Sequence, residues 1–483
     1  MAENTTKKHL LKEIDYDNLP IVDIVNEMII DAESRNASDI HFDPTEDVLN
    51  VRIRIDGELV EYAEVPATIK KNLITRIKII ASMDIMESRL PQDGAIKREI
   101  NGKVLDLRVS SLPISDGEKI VIRILDYSMS LAGLETLGFS QANLEKVNKM
   151  INVPNGIIMV TGATGTGKST TVYAILQKLN NISRNIITVE DPVEMKIAGI
   201  NQVQVMSEIG LDFGTALRSI LRQDPDIIMI GEIRDNETAR IAVRASITGH
   251  LVLSTIHTNN SLTTIERLLD MDVERYLLGS ALTGIVSQRL TKTLCPHCRT
   301  TRETTDYEKT VFKKALNLDI DKIYQPVGCD KCLNGYRGRS AIQEVLVINQ
   351  DIRDAIVGSV RKDRLRKLVY NKDHLSTLLQ DGLKKVIEGL TSFEEILRVI
   401  DVDEDFGEDE KDIRDALIGK SEDETVGGNP PTQEIITPVV TEPVVEVTPV
   451  PEVIEQQAEQ QVVTPEVVTE EKIIKKDYDV LKF

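Results

Sequence analysis

The stretch at residues 156–170, GIIMVTGATGTGKST, joins a short apolar run to a glycine-rich loop and then to a helical pattern. Its segment 162–169 matches the pattern G-x-x-x-x-G-K-[ST]. The glycines of such a loop let successive backbone N–H groups turn toward phosphate oxygens at the start of a helix. We expect Lys168 to reach the β- and γ-phosphates of a nucleotide and Ser169 to bind Mg²⁺. The full set of expected nucleotide-binding residues in the loop is Gly162, Ala163, Thr164, Gly165, Thr166, Gly167, Lys168, Ser169 and Thr170.

Four short apolar runs are each followed by polar residues: GIIMV (156–160), NIITV (185–189), DIIMI (226–230) and HLVLSTI (250–256). Such runs are typical of strands buried on both faces of a parallel sheet. The intervals between them are long enough for crossover helices, which predicts an α/β fold. Ligands bind at the carboxyl ends of the strands in such sheets. If the four strands are parallel neighbours, the glycine-rich loop and three side chains converge on one site. These side chains are Glu190, Glu232 and His257.

The third run ends on Gly231, at the place where such a strand usually carries an Asp that holds Mg²⁺. Glu232 follows, and its carboxylate is suited to align the attacking water. In phosphoryl transfer the protein contributes mainly by positioning the reactants and by stabilising charge. The acids of the segment 190–194, EDPVE, are suited to hold Mg²⁺ through its water shell. Alternatives are a strand-end salt bridge for Glu232 and a turn of solvated acids for 190–194. The candidate acids for the metal are Glu190, which we prefer slightly, Asp191 and Glu194.

Two histidines bracket the fourth run. His250 and His257 lie seven residues apart and face opposite sides of an extended strand, so we do not expect them to act as a pair. His257 follows the carboxyl end of the run, where an imidazole can sense a γ-phosphate; a structural histidine is the alternative. We expect His250 to be structural.

All four cysteines lie in two C-x-x-C pairs, CPHC at 295–298 and CDKC at 329–332. This spacing predicts a tetrahedral Zn²⁺ site with four thiolate ligands, structural because it is closed. Unmetallated thiols are the alternative, and the 30 residues between the pairs leave room for a helical excursion. We expect His297 to be a bystander. The expected zinc ligands are Cys295, Cys298, Cys329 and Cys332.

The patterns divide the chain into four predicted segments. Residues 18–127 alternate helical and strand patterns and indicate an α+β domain. Residues 128–140, which contain Gly and small residues, are a candidate linker, and 141–402 hold the sheet, the cysteine segment 289–340 and a helical region. Residues 403–483 repeat Pro, Val, Thr and Glu and cannot bury a core, which predicts a disordered acidic tail.

Charge and composition narrow the function classes. The formal net charge is −20, but residues 401–483 hold 23 Asp/Glu against 7 Lys/Arg, so the rest of the chain is close to neutral. A near-neutral body with no Trp and 4% aromatic residues argues against a nucleic-acid surface. The charged residues 1–20 contain no apolar core of a signal peptide, and no apolar run approaches the roughly 18 residues of a spanning helix. We expect any membrane role to come through a partner.

Taken together, these motifs resemble the ATPases of type II secretion and type IV pilus assembly, the GspE/PilB type. The resemblance spans roughly residues 20–400. It rests on ASDIHFDP (37–44), VTGATGTGKSTT (160–171), TVEDPVE (188–194), LRSILRQDPDIIMIGEIRD (217–235), TGHLVLSTIHTN (248–259) and GYRGR (335–339), with the two cysteine pairs. Glycine at position 231 is itself part of the family pattern. The resemblance implies a homohexamer of two-lobed subunits, each with a RecA-like P-loop ATPase domain that binds ATP.

The resemblance also implies roles that the residues alone do not give. Arginines of the α+β domain approach the nucleotide in this family, and Arg108 and Arg123 match them as stabilisers of charge on the transferring phosphate. The cysteine pairs favour assembly or secretion over pilus retraction. The expected setting is cytoplasmic, at the inner face of the membrane, on an inner-membrane platform protein that handles pilin-like subunits. Many relatives carry a further amino-terminal docking domain, so recruitment here stays open.

The resemblance therefore predicts an ATP-hydrolysing motor for the assembly of type IV pili or pilin-like fibres, or for type II secretion, with Mg²⁺ and Zn²⁺ bound. A secretion motor or a DNA-uptake pseudopilus motor is the alternative within the family. Outside the family, a non-hydrolysing nucleotide-binding scaffold or a zinc-dependent nucleic-acid binder remains. The role of the acidic tail stays open between docking a partner and keeping the chain soluble.

Overall fold

The structure, a computed structural model, describes residues 12, 14–100, 103–125, 133–370, 375–401 and 411–418. Its amino-terminal part is an antiparallel sheet, in the order β3-β2-β1-β6-β5-β4, packed against two helices. The strands are β1 (Ala37–Pro44), β2 (Val48–Ile55), β3 (Glu58–Pro66), β4 (Gln92–Ile100), β5 (Lys103–Ile114) and β6 (Gly117–Leu125); the helices are α1 (Ile21–Ser34) and α2 (Ala67–Ile80). Asp56 and Gly57 take positive φ angles of 50° and 91°, which lets the chain reverse tightly between β2 and β3.

The central part is a seven-stranded sheet in the order β15-β12-β7-β11-β10-β8-β9. Every neighbouring pair is parallel except β12 with β15. The strands are β7 (Gly156–Thr161), β8 (Ile186–Glu190), β9 (Asn201–Gln204), β10 (Ile227–Ile230), β11 (Leu251–Ile256), β12 (Leu282–Leu294) and β15 (Tyr336–Val347). The predicted α/β fold is confirmed, with the four predicted runs as adjacent parallel strands.

Helices cover both faces of this sheet. The helices are α3 (Gln141–Ile151), α4 (Lys168–Leu179), α5 (Phe213–Ile220), α6 (Asn236–Ile247), α7 (Ser261–Asp270) and α8 (Arg275–Ala281). Alternate residues of β7 enter different cores, because Ile157 and Met159 pack with α6 and α7 while Ile158 and Val160 pack with α3 and α4. Burial on both faces is the reason that these strands are continuous apolar runs.

The carboxyl-terminal part adds the cysteine segment and a helical layer. A two-stranded sheet of β13 (Thr300–Glu303) and β14 (Lys322–Gln325) flanks α9 (Asp306–Leu316), which is the excursion predicted between the cysteine pairs. The following helices are α10 (Gln350–Val357), α11 (Lys362–Val369), α12 (Leu378–Ile387) and α13 (Phe393–Val399). Ser392 caps α13 by accepting a hydrogen bond from the Glu395 amide.

Two predicted segments are described only in part. Residues 128–132 of the predicted linker lie outside the described residues, and in the remainder Leu134 is fully buried in the core beside α3 and α4. Within the predicted tail 403–483, Lys411–Ile418 forms a helix, α14. Its Ile413 and Leu417, one helical turn apart, pack against the α9 core, and Tyr307 donates a 2.9 Å hydrogen bond to the Leu417 carbonyl. Residues 403–410 and 419–483 lie outside the described residues.

Within the described ranges, the structure contains no helix that combines the length and the apolarity needed to cross a bilayer.

Candidate functional site

The carboxyl ends of β7, β11, β10 and β8 open into one cavity of about 460 Å³. From the glycine-rich loop, Thr164, Gly165, Gly167, Lys168, Ser169 and Thr170 line it. From the neighbouring strand ends come Glu190, Glu232 and His257, with Asp191 and Glu194 from the segment after β8. The structure therefore brings together the side chains that the sequence analysis expects at one site. Gly162, Ala163 and Thr166 belong to the same loop but are not among the residues that line the cavity.

Lys168 lies against its own loop. Its Nζ donates hydrogen bonds of 2.9 Å to the Gly162 carbonyl and 3.0 Å to the Ala163 carbonyl. Burial lowers the pKa of the ammonium, and the charge of Glu232 opposes that shift. A buried cation beside a phosphate-binding loop is ready to exchange these carbonyl contacts for phosphate oxygens.

Glu232 follows β10 with a largely buried side chain. Its Oε1 pairs with Nη2 of Arg234, and its Oε2 lies 3.4 Å from Nε2 of His257. The pKa of His257 is lowered by burial and by the charge of Lys168, against the opposing effect of Glu232. The imidazole is therefore neutral at neutral pH, and Arg234 is the cation paired with Glu232.

Glu190 is 3% exposed and accepts hydrogen bonds from three side chains. Thr188 Oγ1 and Gln202 Nε2 donate to its Oε1 at 2.6 Å and 3.0 Å, and the Tyr173 hydroxyl donates to its Oε2. Tyr173 Oη also accepts the backbone N–H of Glu194 at 3.1 Å. Burial and the adjacent Glu190 raise the pKa of Tyr173. Because most of the Glu190 acceptor capacity is already used, the geometry favours Asp191 and Glu194 over Glu190 as partners for a hydrated metal.

Gly231 lies directly beside this acidic segment. Its N–H donates a 2.8 Å hydrogen bond to the Val189 carbonyl. A Cβ at this position would stand 3.4 Å from the Glu190 Cα and from the Val189 carbonyl oxygen. The position that carries the metal-binding Asp in other strands of this kind thus borders the backbone of the 190–194 segment.

The two candidate arginines are paired across neighbouring strands but differ in their contacts. Arg108 on β5 is opposite Arg123 on β6. Arg108 Nη2 lies 3.1 Å from Oε2 of Glu194 and 3.3 Å from the Val193 carbonyl, so it reaches the edge of the cavity. Arg123 instead pairs with Asp39 at 3.1 Å on the α+β sheet. Only Arg108, of these two, touches a residue that lines the cavity in this arrangement.

The four cysteines form a second cluster. The Sγ atoms of Cys295, Cys298, Cys329 and Cys332 all lie within 4.8 Å of one another. Cys295 follows β12 and is buried, while the other three are partly buried. Four converging sulfur atoms are the donor set of a closed tetrahedral site. His297 is exposed and does not belong to the cluster.

His250, which we expect to be structural, has its Nδ1 2.8 Å from the Ala245 carbonyl oxygen.

Residues 15–398 match the family model described as Type II/IV secretion system protein. The chain belongs to this family. It is 45% identical over 400 residues to the type II secretion system protein E of Aeromonas hydrophila, covering 83% of this chain and 79% of that protein. It is 42% identical, over the same shares, to the type II secretion system ATPase E of Vibrio cholerae. A crystal structure of the pilus retraction motor PilT with bound ADP matches with a TM-score of 0.54 and 27% identity, covering 79% of this chain and 97% of that one.

Membership of the secretion ATPase family confirms the predicted class. The protein is an ATP hydrolase and a motor of the secretion or pilus type. The family implies a nucleotide and Mg²⁺, and the four-cysteine cluster can hold a metal ion.

Three residues at the site were missed by sequence reasoning. Tyr173 anchors the acidic segment, Arg234 pairs with Glu232, and Arg339 lines the cavity from β15. Arg234 stands two residues after Glu232, and Arg339 ends the quoted GYRGR motif, so both had a sequence signal as charges within motifs. Tyr173 had none, because its position on a buried helix face becomes functional only through contact with β8.

Proposed function

We propose that this chain is a hexameric ATPase motor that drives the assembly of pilin-like fibres at the inner membrane, in a type II secretion or type IV pilus system. The observation that carries the proposal is the convergence of Lys168, Glu232 and His257 on one cavity with the acids of 190–194. Type II secretion is favoured within this proposal by the relatives at 42% and 45% identity.

The proposed reaction is in-line attack of water on the γ-phosphorus of ATP, which breaks the bond to the β–γ bridging oxygen. The backbone N–H groups of 164–169 and the Lys168 ammonium hold the phosphates. Glu232 orients the attacking water, and its partner His257 senses the γ-phosphate from the next strand. Arg108, one contact away through Glu194, stabilises charge as the phosphoryl group transfers.

When bound, Mg²⁺ would neutralise charge on the phosphates. Ser169 is the proposed direct ligand of Mg²⁺, and Asp191 and Glu194 would bind the water molecules around the ion. Glu190 keeps its predicted place at the site but acts by positioning this segment, through its hydrogen bonds to Tyr173, Thr188 and Gln202. Arg123 is proposed to join the phosphates only after the α+β domain moves relative to the sheet domain.

The proposed α+β domain at 18–127 and motor domain at 141–402 are two bodies that nucleotide turnover would move against each other. Zn²⁺ bound by the four cysteines holds the segment 289–340 together. The motor works on the cytoplasmic side of the inner membrane, contacts an inner-membrane platform protein, and handles pilin-like subunits only through that partner.

The test is ATP turnover by the purified chain, alone and with the cytoplasmic fragment of a platform protein. We expect Mg²⁺-dependent ATPase activity that co-purifies with a hexamer, and a higher rate of phosphate release when the fragment is added. Nucleotide binding without turnover in either condition would favour a scaffold. Retention on single-stranded or duplex DNA at about 0.15 M salt, with no ATPase activity, would favour the nucleic-acid binder instead.

A further inference from the structure

The strand β12 carries a buried glutamine, Gln288, that was not among the residues predicted from the sequence. Gln288 is 1% exposed and stands on the floor of the phosphate-binding loop. Its side-chain Nε2 donates a 2.7 Å hydrogen bond to the Thr166 carbonyl. Its Oε1 accepts a 2.8 Å hydrogen bond from the hydroxyl of Thr171, in the first turn of α4. One amide therefore ties the loop to the helix that follows it.

The loop needs such a partner for a physical reason. When successive N–H groups turn inward to bind phosphate, some carbonyl groups turn outward into the protein and require donors there. The Thr166 carbonyl is one of these, and Gln288 supplies its donor. A glutamine amide both donates and accepts, so it can satisfy the carbonyl and the Thr171 hydroxyl at once. Ionised Glu lacks the donor, and Met or Leu lacks both functions.

Two loop glycines are also packed against this residue. A Cβ on Gly162 would stand 2.5 Å from the Gln288 carbonyl oxygen, and a Cβ on Gly167 would stand 3.2 Å from its Nε2. Their φ angles of 151° and 85° lie in the region that favours glycine. The loop glycines thus serve close approach to β12 as well as the turn itself.

We propose that Gln288 is a positioning residue that sets the geometry of the phosphate loop through Thr166 and Thr171. The inference rests on the proposed nucleotide site and concerns how its affinity is set. A loop that loses this support samples conformations in which its N–H groups no longer converge, so nucleotide binding weakens while Glu232, on another strand, keeps its place. The expected signature is a raised KM for ATP with kcat nearly unchanged.

The test compares Gln288→Met with a matched control, Gln343→Met, in the purified full chain. Gln343 is the β15 residue opposite Gln288 and is equally buried, but its side chain donates to the Leu137 carbonyl, away from the loop. We expect Gln288→Met to raise the KM for Mg²⁺-ATP about ten-fold and to weaken binding of Mg²⁺-ADP similarly. We expect Gln343→Met to lower the melting temperature without moving either constant.

A second pair of variants keeps the test decisive if Gln288→Met does not fold. Thr171→Val removes the hydroxyl, and we expect it to raise KM about three- to ten-fold, whereas Thr171→Ser keeps the hydroxyl and restores the wild-type KM. If the wild type is active and the KM for Mg²⁺-ATP is unchanged in Gln288→Met or in Thr171→Val, this inference is wrong while the proposed function stands. A wild-type chain that neither binds nor hydrolyses Mg²⁺-ATP would overturn the proposed function with it.

Discussion

The Oε2 atom of Glu232 lies 3.4 Å from Nε2 of His257, while the other carboxylate oxygen pairs with Arg234. The two residues end adjacent parallel strands, β10 and β11, so the register of the sheet fixes their separation. Burial lowers the pKa of His257 below its usual 6.5, and the nearby Lys168 lowers it further. At neutral pH the histidine is uncharged and does not compete for the carboxylate that we propose orients water.

This relationship predicts an acidic limb in the pH profile of turnover. Because the pKa of His257 is lowered, the imidazole gains its proton only below pH 6.5, and it then pairs with Glu232 and withdraws it from the water. We expect kcat/KM to fall as pH decreases below that value, and His257→Gln to shift the limb to lower pH. His250→Gln is the matched control, since His250 lies at the opposite end of the strand. A limb that stays in place in His257→Gln would show that another group titrates.

The Tyr173 hydroxyl is expected to matter for catalysis through the acids it holds. Tyr173→Phe leaves a buried Glu190 oxygen without its donor and the Glu194 N–H without its acceptor. We expect about 1–3 kcal/mol less stability toward unfolding and a kcat lowered about ten-fold, because the 190–194 segment loses its anchor. Turnover at a series of Mg²⁺ concentrations and urea unfolding measure the two effects. Tyr276→Phe, on an exposed tyrosine, controls for loss of a hydroxyl; full activity in Tyr173→Phe would contradict the role.

Much of the fold and the site was predictable from sequence, for a physical reason. Strands buried on both faces must be continuous apolar runs, and parallel strands present their carboxyl ends at one edge, so Glu190, Glu232 and His257 could be placed together in advance. The strand β12 was not predicted, because polar residues such as Gln288 and Lys292 interrupt its apolar pattern. The side chains of Gln288 and Lys292 bond to Thr166, Thr171 and Glu58, which lie 117 or more residues away in sequence, and local patterns carry no information about such partners.

The cysteine cluster predicts a measurable metal content. We expect about one Zn²⁺ per chain by elemental analysis, and Cys298→Ser to lose it and to lower the melting temperature by roughly 5 °C or more. The exposed His297 is the matched control, since it stands between two ligands in sequence but outside the cluster. His297→Ala should keep both metal and melting temperature. Equal metal loss in the two variants would contradict the four-thiolate site.

Arg108 is expected to act on turnover far more than on folding. Its pair with Glu194 is one-third exposed on both sides, so its contribution to stability is at most about 1 kcal/mol. We expect Arg108→Ala to lower kcat about ten-fold or more, because a charge stabiliser is lost from the transition state. Lys97→Ala removes an exposed cation from neighbouring β4 and serves as the control. Equal turnover in the Arg108 and Lys97 variants would contradict the assignment.

We propose that the four strand ends form one ATP-hydrolysing site in which Lys168 binds phosphate and Glu232 orients water. The most direct measurement is Mg²⁺-ATP binding and phosphate release by Glu232→Gln and Lys168→Ala, side by side with wild type. We predict that Glu232→Gln binds ATP with near wild-type affinity and hydrolyses it about 10²- to 10³-fold more slowly, whereas Lys168→Ala loses binding and turnover together. Turnover by Glu232→Gln at close to the wild-type rate would contradict the account.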